Sequence, residues 1–244
     1  MRIFLFVFFC SFSTFAQNPK LEVKINSITS FPVQNSVTEY HINYQIENKT
    51  TSELSFFLIP NALIANSASS LTLFPVYKMY QNGVFENMDG PFFEYETEDE
   101  LEYAKTEDKD SEKAKTLLKK FQTSQGIIAM DYYKKYKDNG GESDNFQWVY
   151  YRQRLLNNVI TLKPNETKTY TIKTLWNKNR YIKNDDLEFY LDENNTIEIE
   201  LILDLKTNLF QDQLTKEDLQ KINENPNFIR GLFTSNKMKI EFKD

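Results

Sequence analysis

Cysteine and histidine, the residue types that carry most nucleophilic and metal chemistry, are nearly missing from this sequence. It contains 1 Cys, Cys10, and 1 His, His41. A single cysteine cannot form an intramolecular disulfide or a cysteine-based zinc site, and a Ser-His-Asp triad would depend on His41. Phosphate-binding, dinucleotide-binding, zinc-protease and EF-hand motifs do not occur. We therefore predict no catalytic residue, no metal ligand and no cofactor.

Long hydrophobic runs are also missing, because no segment approaches the roughly 20 apolar residues that cross a bilayer. The short run Ile3 to Phe9 follows a basic residue and precedes the small residues Thr14 and Ala16, as in a secretory signal peptide. We predict cleavage after Ala16, no transmembrane segment, and a soluble chain in the periplasm or outside the cell. The alternative, a lipoprotein anchored through Cys10, is disfavoured because bulky Phe9 precedes the cysteine.

A basic surface is the third absence. The chain has 29 Lys and Arg against 35 Asp and Glu, a formal net charge of -6. This balance predicts no nucleic-acid partner and no attraction to anionic lipid. Residues 17–244 are enough to bury a sizeable core without disulfides, and we expect one domain.

Alternation of apolar and polar residues is the dominant pattern that is present. In EYHINYQIE, every second residue from Tyr40 to Ile46 is apolar, whereas His41 falls on the polar parity and is expected at the surface. Asn82-Gly83 predicts a two-residue type I′ hairpin, since both positions need positive φ. Further strands are predicted in KLEVKIN, ELSFFLI, FQWVYYRQ, VITLKPNETKTYTIKTLWN, LEFYL, TIEIELILDLK and MKIEF.

The pattern changes at about 94–145, which is dense in charge and in good helix formers. Ala114, Leu117, Leu118 and Phe121 recur at helical spacing, and a second, weaker helix is predicted through Tyr132 up to Asn139-Gly140-Gly141. LTKEDLQKIN predicts a short helix capped by Thr215 and Asp218 before the last strand. Strands without βα alternation favour an antiparallel β-sandwich with a helical insert at 94–145.

Two stretches resemble a known family. LKPNETKTYTI at 162–172 is similar to the hydrophobic-x-Pro-Gly-Glu corner of immunoglobulin-like modules in secreted bacterial proteins, with Asn165 where Gly is usual. TEYHINYQIENKTTSELSFFLIP at 38–60 resembles their earlier strand pair. The Asn, Lys and Phe usage and the FAQ cleavage site resemble secretory proteins of Bacteroidota. The resemblance implies a mainly β, immunoglobulin-like β-sandwich that acts in adhesion, ligand display or spacing.

The candidate binding residues lie in the predicted strand FQWVYYRQ. There, Phe146, Trp148, Tyr150 and Arg152 would share one face. An aromatic row that ends in a guanidinium suits stacking on sugar rings or anchoring a partner protein. The alternative is core packing, because large aromatics are abundant in this chain, which has 20 Phe and 14 Tyr.

Two classes of function remain at this point. The first is a noncatalytic binding or interaction module of the cell envelope, with an envelope protein or a glycan as partner. The second is a carboxylate-dependent hydrolase of glycans or cell wall, which needs only two acids facing each other across a cleft. The oligomeric state is not predicted.

Overall fold

The computed structural model describes residues 20–34, 37–65, 73–86, 92, 97–177 and 195–242. The predicted signal peptide, Cys10 and the predicted strand LEFYL lie outside these residues. Within them the fold is mainly β, with antiparallel pairing in most places and four α-helices. None of these helices is both long and apolar enough to span a membrane.

The strands form three sheets. The first is the three-stranded sheet of β1 (Leu21–Gln34), β2 (Val37–Asn48) and β8 (Thr167–Asn177), in that order. The second contains β4 (Ile64–Ala65), β5 (Val76–Gln81), β6 (Val84–Glu86), β9 (Ile197–Leu205), β10 (Gly231–Thr234) and β11 (Met238–Lys239). The third pairs β3 (Leu54–Phe57) with β7 (Val159–Leu162). The second sheet is mixed, because β4 and β5 run parallel while the other pairs are antiparallel.

Alternation places one face of each long strand in a common core. Every second residue of β2 from Tyr40 to Ile46 is at most 1% exposed, and Ile172 and Trp176 of β8 are buried beside them. The odd-numbered residues of β9 from Ile197 to Leu205 join the same core. The sequence predicted these facings, and Asn82 and Gly83 adopt the expected positive φ of 51° and 81° between β5 and β6.

A buried asparagine joins the two stretches that carry the family resemblance. Asn48, at the end of β2, is 0% exposed. Its side-chain amide donates to the carbonyls of Ser52, Leu162 and Lys163 at 2.7, 3.1 and 2.9 Å, and its Oδ1 accepts from the Thr50 amide at 2.9 Å. The side chain therefore ties the end of β2 to the end of β7, where the chain turns into β8.

The helices are α1 (Glu98–Ala104), α2 (Glu112–Asp138), α3 (Phe146–Asn157) and α4 (Lys216–Glu224), with a 3-10 helix at Asn208–Gln213 before α4. α4 has the predicted capping box of Thr215 and Asp218. The two helices predicted in the insert are one continuous helix, α2, which ends before Gly140 with φ 79°. Of the predicted last strand MKIEF, only β11 pairs as a strand, although Ile240 and Phe242 are buried.

The strand prediction for FQWVYYRQ is wrong, because this stretch begins α3. The Asn145 side chain caps the helix by accepting from the Trp148 amide at 3.0 Å. Val149 and Leu155 are buried along its length, and Leu155 packs in a second apolar cluster with Phe57 and Phe210. Aromatic residues favour strands locally, but burying this face of a helix outweighs that propensity.

Candidate interaction surface

The four predicted binding residues do not form one row. Residues two apart on a helix point about 200° away from each other, so Phe146 and Tyr150 lie on one side of α3 and Trp148 and Arg152 on the other. Phe146 is 40% exposed, whereas the other three are only partly exposed. Three of the four side chains therefore contact neighbouring elements, and none of the four belongs to either core cluster.

Arg152 holds α3 against α4. Its Nε and a terminal guanidinium nitrogen donate to the two carboxylate oxygens of Asp218 at 2.7 and 2.8 Å, with the side chains 15% and 12% exposed. Burial tends to raise the pKa of Asp218, but the hydrogen bonds from Arg152 and Thr215 outweigh it and the pKa is lowered. A two-point hydrogen bond of this kind fixes the angle between the helices.

The remaining aromatic residues pack α3 against α2. Tyr150 stacks on Tyr132 with ring centroids 6.0 Å apart, and Phe146 meets Tyr133 at 5.4 Å. Trp148 donates its indole N–H to the carbonyl of Asp212 at 2.9 Å. We call α2, α3 and their connection, residues 112–157, the helical arm.

The helical arm leaves much of its apolar surface uncovered. Among the 27 residues of α2, only Ala114 is buried. Ile127 is 57% exposed and Met130, one turn further on, is 59% exposed. These two side chains are neighbours on the helix surface, since residues three apart lie one turn from each other. The other large apolar side chains exposed on the arm are Leu118, Ile128, Phe146 and Tyr151.

Charged contacts join the end of α1, which precedes the helical arm, to the three-stranded sheet. Lys105, at the end of α1, donates to Glu39 of β2 at 2.5 Å, and His41 lies 2.6 Å from the other oxygen of that carboxylate. Burial tends to raise the pKa of Glu39, but these two hydrogen bonds outweigh it and the pKa is lowered. His41 is partly exposed, as its place among the polar residues of the alternating strand predicted.

A groove that the sequence did not indicate runs beside this contact. It lies between α1 and β8 and has a volume of about 530 Å³. Its lining residues are Asn61, Thr97, Glu98, Leu101, Thr169, Tyr170, Thr171 and Lys173. Lys173 pairs with Glu98 at 2.6 Å, and this hydrogen bond lowers the pKa of Glu98. The alternating polar residues of TKTYTIK indicate that one face of β8 is exposed. Nothing in the sequence, however, placed α1 beside that strand.

Metal binding and glycoside hydrolysis both need acidic side chains that face one another. Within the described parts of the chain, no three His, Cys, Asp or Glu side chains come close enough to hold a metal ion. Glu98 is the one carboxylate among the residues that line the groove, and it is occupied by Lys173. The groove thus lacks the facing acid pair that a glycosidase uses.

Comparison with protein-family models, with curated proteins and with solved structures finds no match for this chain.

Proposed function

We propose that the protein is a noncatalytic interaction module of the cell envelope that binds another envelope protein through its helical arm. The observation that carries the proposal is the exposure of Ile127 and Met130 on a helix about 40 Å long with one buried residue. Neighbouring large apolar side chains that are exposed together are typical of protein–protein contact sites.

The arrangement of charge on α2 supports a protein partner. Ile127 and Met130 are flanked by Asp131 and Lys134, which are exposed. An apolar centre with a polar rim is the usual anatomy of a protein interface, and one helical face can dock in a groove of a partner through side chains one turn apart. A glycan partner has less support, because Trp148 and Tyr150 are occupied in packing.

The fold type and the location belong to the same proposal. An immunoglobulin-like arrangement is supported by the shared core of the first two sheets and by the corner at Lys163–Glu166, while the parallel β4–β5 pair departs from it. Export to the periplasm is supported by the N-terminal sequence. Sheets that carry a helix with exposed apolar side chains agree with a display or adhesion role.

Photocrosslinking in the native cell tests the proposal. A benzophenone amino acid is placed at Met130, and in a matched control at Thr29, an exposed position on β1. We expect a discrete adduct, identified by mass spectrometry as one envelope protein, from Met130 alone. The adduct should fall at least tenfold when Ile127→Asp is added. Equal adducts from both positions, or none from Met130, would refute an arm-mediated interaction.

A further inference from the structure

Another pocket lies where the end of β9, the 3-10 helix, α4 and the start of β10 meet. It has a volume of about 400 Å³, which is in the size range of small-molecule sites. It is lined by residues 204–208, Gln211, Asn223 and 230–232. All of these residues lie within 195–242, a range that the structure describes without a gap. We call this site the Arg230 pocket.

Two neutral side chains hold Arg230 in position. Its Nε donates to the Thr207 hydroxyl at 2.7 Å, and a terminal guanidinium nitrogen donates to the Asn223 side-chain oxygen at 2.5 Å. Thr207 is only 8% exposed and stands at the start of the 3-10 helix, but its hydroxyl accepts from none of the described backbone amides of that helix. Its hydroxyl instead orients the guanidinium, which offsets part of the entropy that an ordered arginine loses.

Arg230 has no carboxylate partner in the part of the chain that the structure describes. A guanidinium has five N–H donors, and the bonds to Thr207 and Asn223 use two of them. The other cation among the lining residues, Lys206, pairs with Asp204, which also lines the pocket. The lining therefore carries one more positive than negative charge, although the whole chain has a formal net charge of -6.

This arrangement suits a carboxylate ligand. The planar fork of a guanidinium matches two carboxylate oxygens, and a fork that is already oriented loses less entropy on binding. A single excess positive charge matches a monoanion, whereas Asp204 would repel a phosphate dianion. Leu232 lines the same pocket and is 63% exposed, so an apolar group next to the carboxylate has a side chain to pack against.

We propose that the Arg230 pocket binds a carboxylate monoanion with an adjacent apolar group. Arg230 binds the carboxylate, and Leu232 contacts the apolar group. A small free acid and the C-terminal residue of a peptide share this chemistry. The site is independent of the function proposed for the helical arm, because none of the lining residues falls in 112–157.

Titration of the isotope-labelled protein with small probes, followed by NMR, tests the proposal. N-acetyl-leucine carries the carboxylate and the apolar group, and N-acetyl-leucinamide is its neutral match. We expect N-acetyl-leucine to shift the Arg230 Nε–H and Gly231 amide signals in a saturable way, with at least tenfold higher affinity than N-acetyl-leucinamide or inorganic phosphate. Tighter binding of a leucine-terminated pentapeptide than of 3-methylbutanoate would identify a peptide C-terminus as the source, and the reverse order a free acid.

A matched pair of substitutions locates the site. Leu232→Glu places a negative charge in the pocket and leaves both acceptors of Arg230 in place. Leu209→Glu makes the same change at a leucine that is 48% exposed and does not line the pocket. At about 0.15 M salt, where charges are screened beyond about 8 Å, the first variant should bind N-acetyl-leucine at least tenfold more weakly and the second normally.

Arg230→Gln should also lose at least tenfold in affinity, and circular dichroism checks that each variant is folded. The proposal is overturned if N-acetyl-leucine gives no saturable shift at Arg230, or if the neutral amide binds as tightly as the acid. Full binding by a folded Arg230→Gln, or equal binding by the two leucine variants, would overturn it as well.

Discussion

The three-stranded sheet and the helical arm use their residues in opposite ways. β2 has 12 residues, and every second side chain from Tyr40 to Ile46 is at most 1% exposed. α2 has 27 residues and buries only Ala114. Burial of apolar area is the main favourable term in folding, so the sheets hold most of the stability. The helices of the arm depend more on contacts within each helix, such as caps and ion pairs. Their apolar side chains therefore stay available for binding.

Caps and ion pairs stabilise the helices locally. Ser111 caps α2 and Thr97 caps α1 in a capping box. Lys115 pairs with Glu112 one turn away at 3.1 Å. Each such contact contributes only a few tenths of a kcal/mol to about 1 kcal/mol. The arm should therefore open at a lower free energy than the sheets, as is common for segments that bind partners.

The largest expected difference between the regions comes from truncating a leucine in each. Leu201 in β9 is 0% exposed, and Leu201→Ala should lower the free energy of unfolding by about 2–5 kcal/mol because it leaves a cavity. Leu118 in α2 is 36% exposed, and Leu118→Ala should lower it by less than about 1 kcal/mol. Denaturant unfolding of both variants measures this, and equal losses would contradict the comparison.

The next largest effect concerns Asn48. Asn48→Ala removes the donor for the carbonyls of Ser52, Leu162 and Lys163, and an orphaned buried polar group costs about 1–3 kcal/mol. We expect a total loss of about 2–4 kcal/mol, since water can reach part of the turn. The control is Asn43→Ala on the polar face of β2, which should be nearly neutral. A near-neutral Asn48→Ala would show that the connection is dispensable.

The contact of the arm with α4 comes third. Arg152→Met should reduce the free energy of unfolding by about 1–3 kcal/mol at neutral pH, because it leaves the largely buried Asp218 carboxylate without its partner. Adding Asp218→Asn should recover part of that loss. If the double variant is no more stable than the single one, the pair does not couple the two helices.

The smallest effect is a dependence on pH where α1 meets the three-stranded sheet. The pKa of Glu39 is lower in the folded protein than in the unfolded chain, so its contribution is present above the unfolded value and is lost as pH falls. Stability should therefore decline below about pH 5 as carboxylates protonate. Glu39→Gln should flatten that decline, whereas Glu107→Gln, at an exposed position, should not. Identical pH profiles for the two variants would contradict a role for Glu39.

The contrast between the sheets and the helical arm also explains what the sequence could predict. Period-two alternation in residues 39–47 and 197–205 predicted which side chains are buried, and Asn82-Gly83 predicted the hairpin, because these signals are local. FQWVYYRQ was misassigned because its alternating aromatic residues favour a strand locally, whereas the Asn145 cap and the burial of Val149 and Leu155 stabilise a helix. The groove was not predictable, since it depends on α1 lying beside β8, where Glu98 and Lys173 are 75 positions apart in the chain.

The most direct test of the account replaces residues 94–145 with a short Gly-Ser linker and measures denaturant unfolding. We predict a single sigmoidal transition with the β-sheet circular dichroism retained, because changing the length of a surface connection costs only about 0.6 kcal/mol per doubling. The midpoint should fall modestly, since Leu101 and the Lys105–Glu39 contact are lost. An aggregated or noncooperative variant would show that the insert belongs to the main core, and would contradict the division into stable sheets and a separable α2.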